Sequence, residues 1–300
     1  MKKKTYLIAL MAMALTLGSC SDNENGIGGE TSKYITVSTS IGNMTRVATD
    51  ANGGQTFEEG DEISVYAWTG DPAVAPETRE RVVNNAINKL TNGSWVSTPQ
   101  MLWKNNRDKH YFIGVYPTAA ISDLSAGEYT FDANKQTESD LLVAVNKDGL
   151  SYNADEQQTV PLTFTHVMAK LVVNLTYKNQ WGGIPTVEKV VVGNAAKEAT
   201  INYLTKVVTP STTAKEDFSL PEITENTKYV SVIIPQEDVT QLTIVIGGKN
   251  FVYDNGTPFK LESGKITTVN LEVGRDEIKL GDVKITNWED GSTFSGEALN

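Results

Sequence analysis

The chain has 300 residues and a formal net charge of −11, and it contains a single cysteine. An acidic surface repels nucleic acid and anionic lipid headgroups, so we expect neither to be a partner. A single cysteine excludes an intramolecular disulfide, so the fold must be stabilised by packing.

The first twenty residues have the pattern of a bacterial lipoprotein leader. Lys2–Lys4 precede an apolar run from Tyr6 to Leu17, which is too short to span a bilayer. Leu17-Gly18-Ser19-Cys20 resembles a lipobox, in which the cysteine is diacylated and becomes the mature N-terminus. The alternative is an ordinary secretory signal. We predict a lipoprotein signal peptide over residues 1–20, with Cys20 as the lipidation site.

A polar, glycine-rich segment follows the leader. Its composition is typical of a flexible linker, and we predict a tether over residues 21–32. Removal of the leader lysines makes the mature chain more acidic, so membrane attachment must depend on the lipid. Ser21–Glu24 also resembles an export signal for surface lipoproteins, with a plain linker as the alternative. We expect a lipid-anchored precursor at the cell outer membrane.

From Lys33 onward the pattern is that of a β protein. Ile35, Val37, Thr39 and Ile41 alternate with polar residues, as in a half-buried strand. Further strand-like runs are Glu62–Trp68, Lys109–Tyr116, Leu141–Val145, Val160–Thr165, Met168–Tyr177, Thr186–Val192, Tyr229–Ile234, Leu242–Ile246, Asn250–Tyr253, Ile266–Val273 and Val283–Ile285. Many short strands separated by turn residues predict an all-β chain built from β-sandwiches.

A polar break within Tyr152–Thr159 predicts the boundary between two domains. We therefore expect an N-terminal β-sandwich domain over residues 33–158 and a C-terminal one over residues 159–300. Their sizes are ordinary for single domains.

Two finer predictions concern local structure. Met168–Tyr177 and Thr186–Val192 flank a Gly182-Gly183 turn, which predicts that they pair as a hairpin. Pro76–Asn88 and Pro117–Ser125 could each hold a helical turn or two.

The sequence offers few groups for enzyme chemistry. His110 and His166 are its two histidines, and none of the common metal, nucleophile or nucleotide motifs is present. We expect structural roles for both histidines, and we predict no catalytic residue, no metal and no cofactor. A hydrolase on a sandwich scaffold remains the alternative, and it requires a carboxylate pair with perturbed pKa values in a cleft.

Tryptophans are the remaining candidates for a binding site. Trp68, Trp95, Trp103, Trp181 and Trp288 would form a sugar platform if several were exposed in one groove. In sandwiches such residues more often pack in the core. A monomeric, glycan-binding surface lipoprotein is therefore kept as an alternative.

Several separated motifs carry a resemblance to a known family. They are Thr45-Arg46, Phe57–Ile63, Tyr111–Pro117, Asp140–Ala144, Phe164–Val173, Gly264–Val269 and Ile285–Gly291. In this order, and behind a lipobox, they resemble the fimbrillin-like proteins, which are pilins and pilin-like surface lipoproteins of type V pili. The resemblance implies two tandem transthyretin-like β-sandwich domains and a cell-surface pilus.

The resemblance also implies a mode of assembly. In such pilins a protease cuts after an arginine that follows the first strand, and Arg46-Val47 fits that position. The released strand would carry Ile35, Val37, Thr39 and Ile41, and the C-terminal strand of the next subunit would replace it. The donor strand candidates are Ile278, Leu280, Val283, Ile285 and Trp288. The alternative is that these residues only close their own sandwich.

The resulting prediction is a structural subunit of a pilus, with a stalk role as the first choice. A tip or anchor subunit is the alternative, in which the tail or the cut is unused. The expected partners are other pilin subunits, the membrane through the N-terminal lipid, and a host or glycan receptor.

Overall fold

The computed structural model describes residues 33–42, 57–136, 138–156 and 158–288. In chain order the strands are β1 (Thr36–Ile41), β2 (Glu62–Thr69), β3 (Arg81–Thr91), β4 (Ser94–Thr98), β5 (His110–Tyr116), β6 (Gly127–Thr130), β7 (Leu142–Leu150), β8 (Thr159–His166), β9 (Ala169–Tyr177), β10 (Val187–Ala196), β11 (Glu198–Asn202), β12 (Val207–Pro210), β13 (Lys215–Ser219), β14 (Glu222–Thr224), β15 (Lys228–Ile233), β16 (Gln236–Ile246), β17 (Lys249–Leu261), β18 (Lys265–Val273) and β19 (Ile278–Asn287). The helical elements among these residues are two 3-10 turns, Thr78–Glu80 and Asn179–Trp181. The all-β prediction is confirmed.

The N-terminal part of the chain forms a seven-stranded sheet with the order β1-β8-β7-β5-β2-β3-β4. The sheet curls so that its two end strands, β1 and β4, lie side by side. Apolar side chains fill the space that it encloses, among them Val65, Phe112 and Phe164, each fully buried. This enclosed set is called the inner cluster below.

Strand β3 is absent from the sequence prediction, which put a helical turn or two in Pro76–Asn88. Only Thr78–Glu80 is helical there, and the strand begins at Arg81. Asn85 has φ +56°, and the pairing of β2 with β3 shifts register nearby. This irregularity puts both Val83 and Ala86 in the core, at a spacing of three that imitates a helix. Pro117–Ser125, described throughout, contains no helix either.

The C-terminal part has a sandwich-like arrangement of two sheets. One has the order β14-β15-β9-β18-β19 and the other β13-β10-β16-β17. Alternate residues of both sheets, such as Val173 and Leu271 on one and Val190 and Ile244 on the other, belong to one apolar cluster. The cluster also includes Tyr66 and Val115, on the outer face of the seven-stranded sheet.

The predicted pairing of Met168–Tyr177 with Thr186–Val192 is wrong. The strands there, β9 and β10, belong to different sheets of the sandwich. Their connection contains the 3-10 turn Asn179–Trp181, and Trp181 Nε1 donates to the carbonyl oxygen of Val273 on β18 at 2.9 Å. Gly182, with φ +67°, ends this turn and does not form a hairpin.

A three-stranded sheet, β12-β11-β6, joins the two parts of the chain. Its strand β6 comes from the N-terminal part, and Gly127 on it packs so closely on Tyr203 that a Cβ would lie 2.6 Å from the ring. Strand β8 belongs to the seven-stranded sheet, so sheet membership changes between His166 and Ala169, beyond the predicted 158/159 boundary. The division into two domains, 33–158 and 159–300, stays a prediction.

Candidate assembly site

Strand β1 fills one end of the inner cluster. It runs parallel to β8, in a register that pairs Thr36 with Thr159 and Ile41 with Phe164. Its alternating pattern has the predicted effect, because Ile35, Val37 and Ile41 are exposed by only 2%, 6% and 8%. Thr39 is half-buried.

Hydrogen bonds hold β1 along its exposed face as well. Thr36 Oγ1 lies 3.1 Å from Oγ1 of Thr159, and Ser40 Oγ donates to Oγ1 of Thr163 at 3.2 Å. Each of these contacts joins β1 to β8. The strand is therefore attached to its parallel neighbour both through the backbone ladder and through hydroxyl pairs.

On its other edge β1 meets a different set of residues. Ahead of the strand, the Ile35 amide donates to the carbonyl oxygen of Met101, and the Trp103 amide donates to that of Lys33. Farther along, Nε1 of Trp95 on β4 donates to Oγ1 of Thr39 at 2.9 Å. These contacts connect the two ends of the curled sheet.

Phe57 holds the chain in place before β2. Its ring packs edge-on against Trp95, Tyr116 and Phe164, with centroids 5.3, 5.4 and 5.1 Å away. Phe164 lies opposite Ile41 in the register of β1 and β8. The same aromatic group thus supports the end of β1 and the point at which the described chain resumes.

The C-terminal strand β19 is an edge strand of its own sheet. It pairs antiparallel with β18, and the register shifts between Val269 and Leu271. Ile278 and Leu280 pack against the apolar cluster between the two C-terminal sheets, whereas Val283 and Ile285 are 41% and 38% exposed. Strand β19 therefore completes its own sheet, yet it buries little of its apolar surface.

Trp288, which follows β19, is only 7% exposed. Its ring stacks on His166, the last residue of β8, and Nζ of Lys170 lies 4.4 Å from the ring centroid. His166 Nδ1 lies 2.8 Å from Oδ1 of Asp140, so the imidazole is fixed on two sides. This contact ties the end of the C-terminal strand to the strand that pairs with β1.

Comparisons with known proteins identify the family of this chain. A family model described as fimbrillin-like matches residues 45–288. This chain belongs to the fimbrillin-like family. The family and its structural neighbours are fimbrial and adhesion proteins, not enzymes. Membership supports a role as a pilus or fimbrial subunit that associates with other fimbrial subunits, and it implies a cell-surface location.

Solved structures resemble the fold of this fimbrillin-like protein. A protein described as a cell adhesion protein from Bacteroides uniformis is 18% identical, with a TM-score of 0.61, over 85% of this chain and 98% of that one. A fimbrial protein from Bacteroides vulgatus is 13% identical, with a TM-score of 0.54, over 86% and 100%. At these identities the likeness shows the fold alone. A search of curated proteins finds no match.

Three predicted processing positions of the fimbrillin-like protein lie outside the described residues. They are the lipidation site Cys20 and the cleavage pair Arg46-Val47. The described chain ends at Gly42 after β1 and resumes at Phe57, so Arg46-Val47 falls between these two points. No helix within the described ranges is long and apolar enough to cross a membrane.

Both histidines make structural hydrogen bonds. His110 is fully buried, its Nε2 accepts from the Lys104 amide at 3.0 Å, and its Nδ1 lies 3.1 Å from the carbonyl oxygen of Asp108. Burial lowers the pKa of the His110 imidazole. In the part of the chain that the structure describes, no group of three or more His, Cys, Asp or Glu residues is arranged to hold a metal ion.

The tryptophans do not form a platform. Trp68, Trp103 and Trp288 are buried. Trp95 is half-buried on β4, and Trp181 is half-buried in the 3-10 turn between β9 and β10. Each of the two half-buried indoles uses its N–H inside the fold. The glycan-binding alternative therefore loses the exposed tryptophan cluster that it required.

Sequence reasoning missed that Trp95 donates a hydrogen bond to β1 and that Phe57 packs on Phe164, opposite the end of β1. Trp95 lies on an exposed, five-residue strand with an irregular apolar pattern, so no periodicity points to it. Phe57 belongs to a motif of the family resemblance, but its partners are distant in sequence. A signal that could have identified the pair is their aromatic character in otherwise polar segments.

Proposed function

We propose that this protein is a pilus subunit that is exported as a lipoprotein on Cys20 and activated by cleavage between Arg46 and Val47. Cleavage frees β1, which leaves with the lipid anchor, and the C-terminal strand of another subunit takes its place. The observation that carries the proposal is the position of β1. It is a sheet-end strand that, with Ile35 just ahead of it, buries three apolar side chains, and the chain that follows it leads to Arg46.

The energetics explain why a covalent cut is required. Each of Ile35, Val37 and Ile41 contributes roughly 1.5–3 kcal/mol by burial. The ladder to β8 adds about 1 kcal/mol for each hydrogen bond. A tethered strand held by these contacts re-enters its groove faster than a competitor can arrive. Once Arg46-Val47 is cut, β1 can diffuse away, and the apolar groove favours any strand with a matching pattern.

Val283, Ile285 and Asn287 on β19 offer such a pattern. They repeat the apolar, apolar, polar order of Ile35, Val37 and Thr39 at a spacing of two. Val283 and Ile285 are also the half-exposed apolar residues of β19, so their transfer into a groove would bury surface that is now in water. We infer that this half of β19 is the donor segment, and that Ile278 and Leu280 stay with their own sandwich.

Arginine-specific proteolysis tests the proposal. Soluble protein that starts at Ser21 is digested and followed by intact mass and by electrophoresis without boiling. We expect one cut after Arg46 and a ladder of heat-sensitive multimers. Arg46→Gln is the control and should remain both intact and monomeric. A protein that is cut at Arg46 and stays monomeric contradicts the polymerising role.

A second candidate function is that of a tip or anchor subunit. The observation that favours it is the Trp288 contact, because an indole stacked on His166 keeps the end of β19 in its own molecule. Such a subunit would accept a strand and not donate one. Cleaved protein that binds a peptide with the sequence of residues 278–288 but forms no ladder identifies this case.

A further inference from the structure

The two edges of β1 are bonded differently along its length. The Gly42 amide donates to the carbonyl oxygen of Phe164, whereas the Ile35 amide donates to Met101 on the opposite edge. Backbone groups of successive strand residues point to opposite edges, so even-numbered residues of β1 face β8. The backbone groups of the odd-numbered residues Val37, Thr39 and Ile41 therefore face β4.

Within the described ranges, β1 and β4 form no backbone ladder. The Ile35 end is held on both edges, by β8 and by the segment around Met101. The Ile41 end is held by β8 through the backbone and through the hydrogen bond from Ser40 to Thr163, but across the seam between β1 and β4 it is held only by the hydrogen bond from Trp95 to Thr39 within the described ranges. The hydrogen bonds on the β4 side of β1 are thus fewest beside the segment that contains Arg46.

We propose that the open edge at the Thr39–Ile41 end of β1 is where an incoming strand first binds, and that β1 then peels toward Ile35. This inference rests on the proposed function, because it assumes that β1 is replaced. Unpaired backbone N–H and C=O groups bind another extended backbone, so the partner is a strand. Displacement starts where the fewest bonds hold the free edge of the resident strand.

The structure favours a second copy of this chain as the source of that strand. Val283 and Ile285 present half-exposed apolar side chains on an edge strand, and with Asn287 they match the first three groove positions, those of Ile35, Val37 and Thr39. An extended segment of this kind can pair at the seam before its side chains enter the inner cluster.

Two disulfide staples distinguish the ends of β1. The chain from Ser21 contains no cysteine, so an introduced pair has no competitor. Thr36→Cys with Thr159→Cys staples the Ile35 end, and Ser40→Cys with Thr163→Cys staples the Ile41 end. The native hydroxyl oxygens lie 3.1 and 3.2 Å apart, and adjacent strands have the spacing that a disulfide requires. The two variants thus differ only in position along the same pair of strands.

The probe is a fluorescein-labelled peptide with the sequence of residues 278–288, and its anisotropy reports binding to each cleaved, oxidised protein. With the Ile35-end staple we expect the peptide to bind, because the Ile41 end is free to open. With the Ile41-end staple we expect association at least about ten-fold slower. Reduction of the disulfides should make the peptide bind the two proteins at the same rate. If the peptide binds the protein with the Ile41-end staple as fast as it binds the protein with the Ile35-end staple, the inference is overturned.

Amide hydrogen exchange tests, without a binding partner, which end of β1 opens first. In cleaved, unstapled protein, we expect the amides of Ser40 and Gly42 to exchange about ten-fold faster than that of Thr36, because they open first. The reverse gradient overturns the inference even where multimers form. If the cleaved chain neither binds the peptide nor forms multimers, the proposed function is contradicted. The exchange gradient still shows which end of β1 opens first. If Arg46 resists digestion, a protease site inserted between residues 43 and 56 supplies the cut.

Discussion

The indole of Trp288 lies parallel to the imidazole of His166, with ring centroids 3.9 Å apart and planes inclined by 8°. The two residues are far apart in sequence. Trp288 follows the proposed donor strand, and His166 ends the strand that pairs with β1. Their contact therefore joins the part of the molecule that would give a strand to the part that would receive one.

Replacing Trp288 with alanine should loosen β19. The buried indole stabilises the end of an edge strand that otherwise buries little, and removal of a buried tryptophan costs about 3–5 kcal/mol. We expect faster amide exchange across Ile278–Asn287, measured by mass spectrometry, with the exchange of β1 unchanged. Trp288→Phe keeps a stacking ring and should restore most of the protection. Equal protection in Trp288→Ala and the native protein would contradict this role.

Gly114→Ala should destabilise the inner cluster. A Cβ at Gly114 on β5 would lie 2.6 Å from Cζ of Phe164, and overpacking of this kind costs about 1–3 kcal/mol. Denaturant unfolding measures the loss. In the background Phe164→Leu, whose shorter side chain leaves room, the same substitution should cost less. Equal costs in both backgrounds would show that the glycine is required for another reason.

Stability should depend on the protonation of His110. Burial lowers its pKa from an ordinary value of 6.5, so below pH 6.5 the unfolded chain takes up a proton that the folded chain does not. Stability is therefore lost as the pH falls below about 6.5, and above that pH the histidine has no such effect. His110→Gln can still accept from the Lys104 amide but does not titrate. Melting temperatures from pH 7.5 to 5 should fall less steeply for this variant than for the native protein.

Substitutions on β19 should separate donor activity from stability. Val283→Ser with Ile285→Ser changes side chains that are 41% and 38% exposed, so stability should change by no more than about 0.5 kcal/mol per site. We expect the multimer ladder after cleavage to be lost. Val252→Ser is the matched control, because Val252 is 45% exposed on β17, and its ladder should persist. Normal multimers from the double variant would exclude this donor segment.

The extent to which the fold follows from sequence varies between elements. Ile35, Val37 and Ile41 alternate without interruption, and the strand they predict is present with the predicted face buried. Asn85 interrupts the alternation of β3, so that strand is invisible to a period-two pattern. A diglycine at residues 182–183 suggested a hairpin, but the 3-10 turn before it leads the chain from one sheet to another.

The site is less predictable than the strands, because its contacts join residues that are distant in sequence. Alternation identifies which side chains of β1 are buried, but it does not show that β4 lies beside β1 without pairing with it. Similarly, the motif around Trp288 gave no indication that its ring packs on His166. Contacts of this kind depend on sheet curvature and register, which local pattern does not encode.

The composition of the multimers tests the central claim most directly. Multimers formed after cleavage are isolated without boiling, dissociated and weighed by intact mass. Strand replacement predicts that the subunits begin at Val47 and that the fragment from Ser21 to Arg46 is absent from the assembly. Multimers that retain this fragment in equal proportion would contradict the account, because β1 would then still occupy its groove.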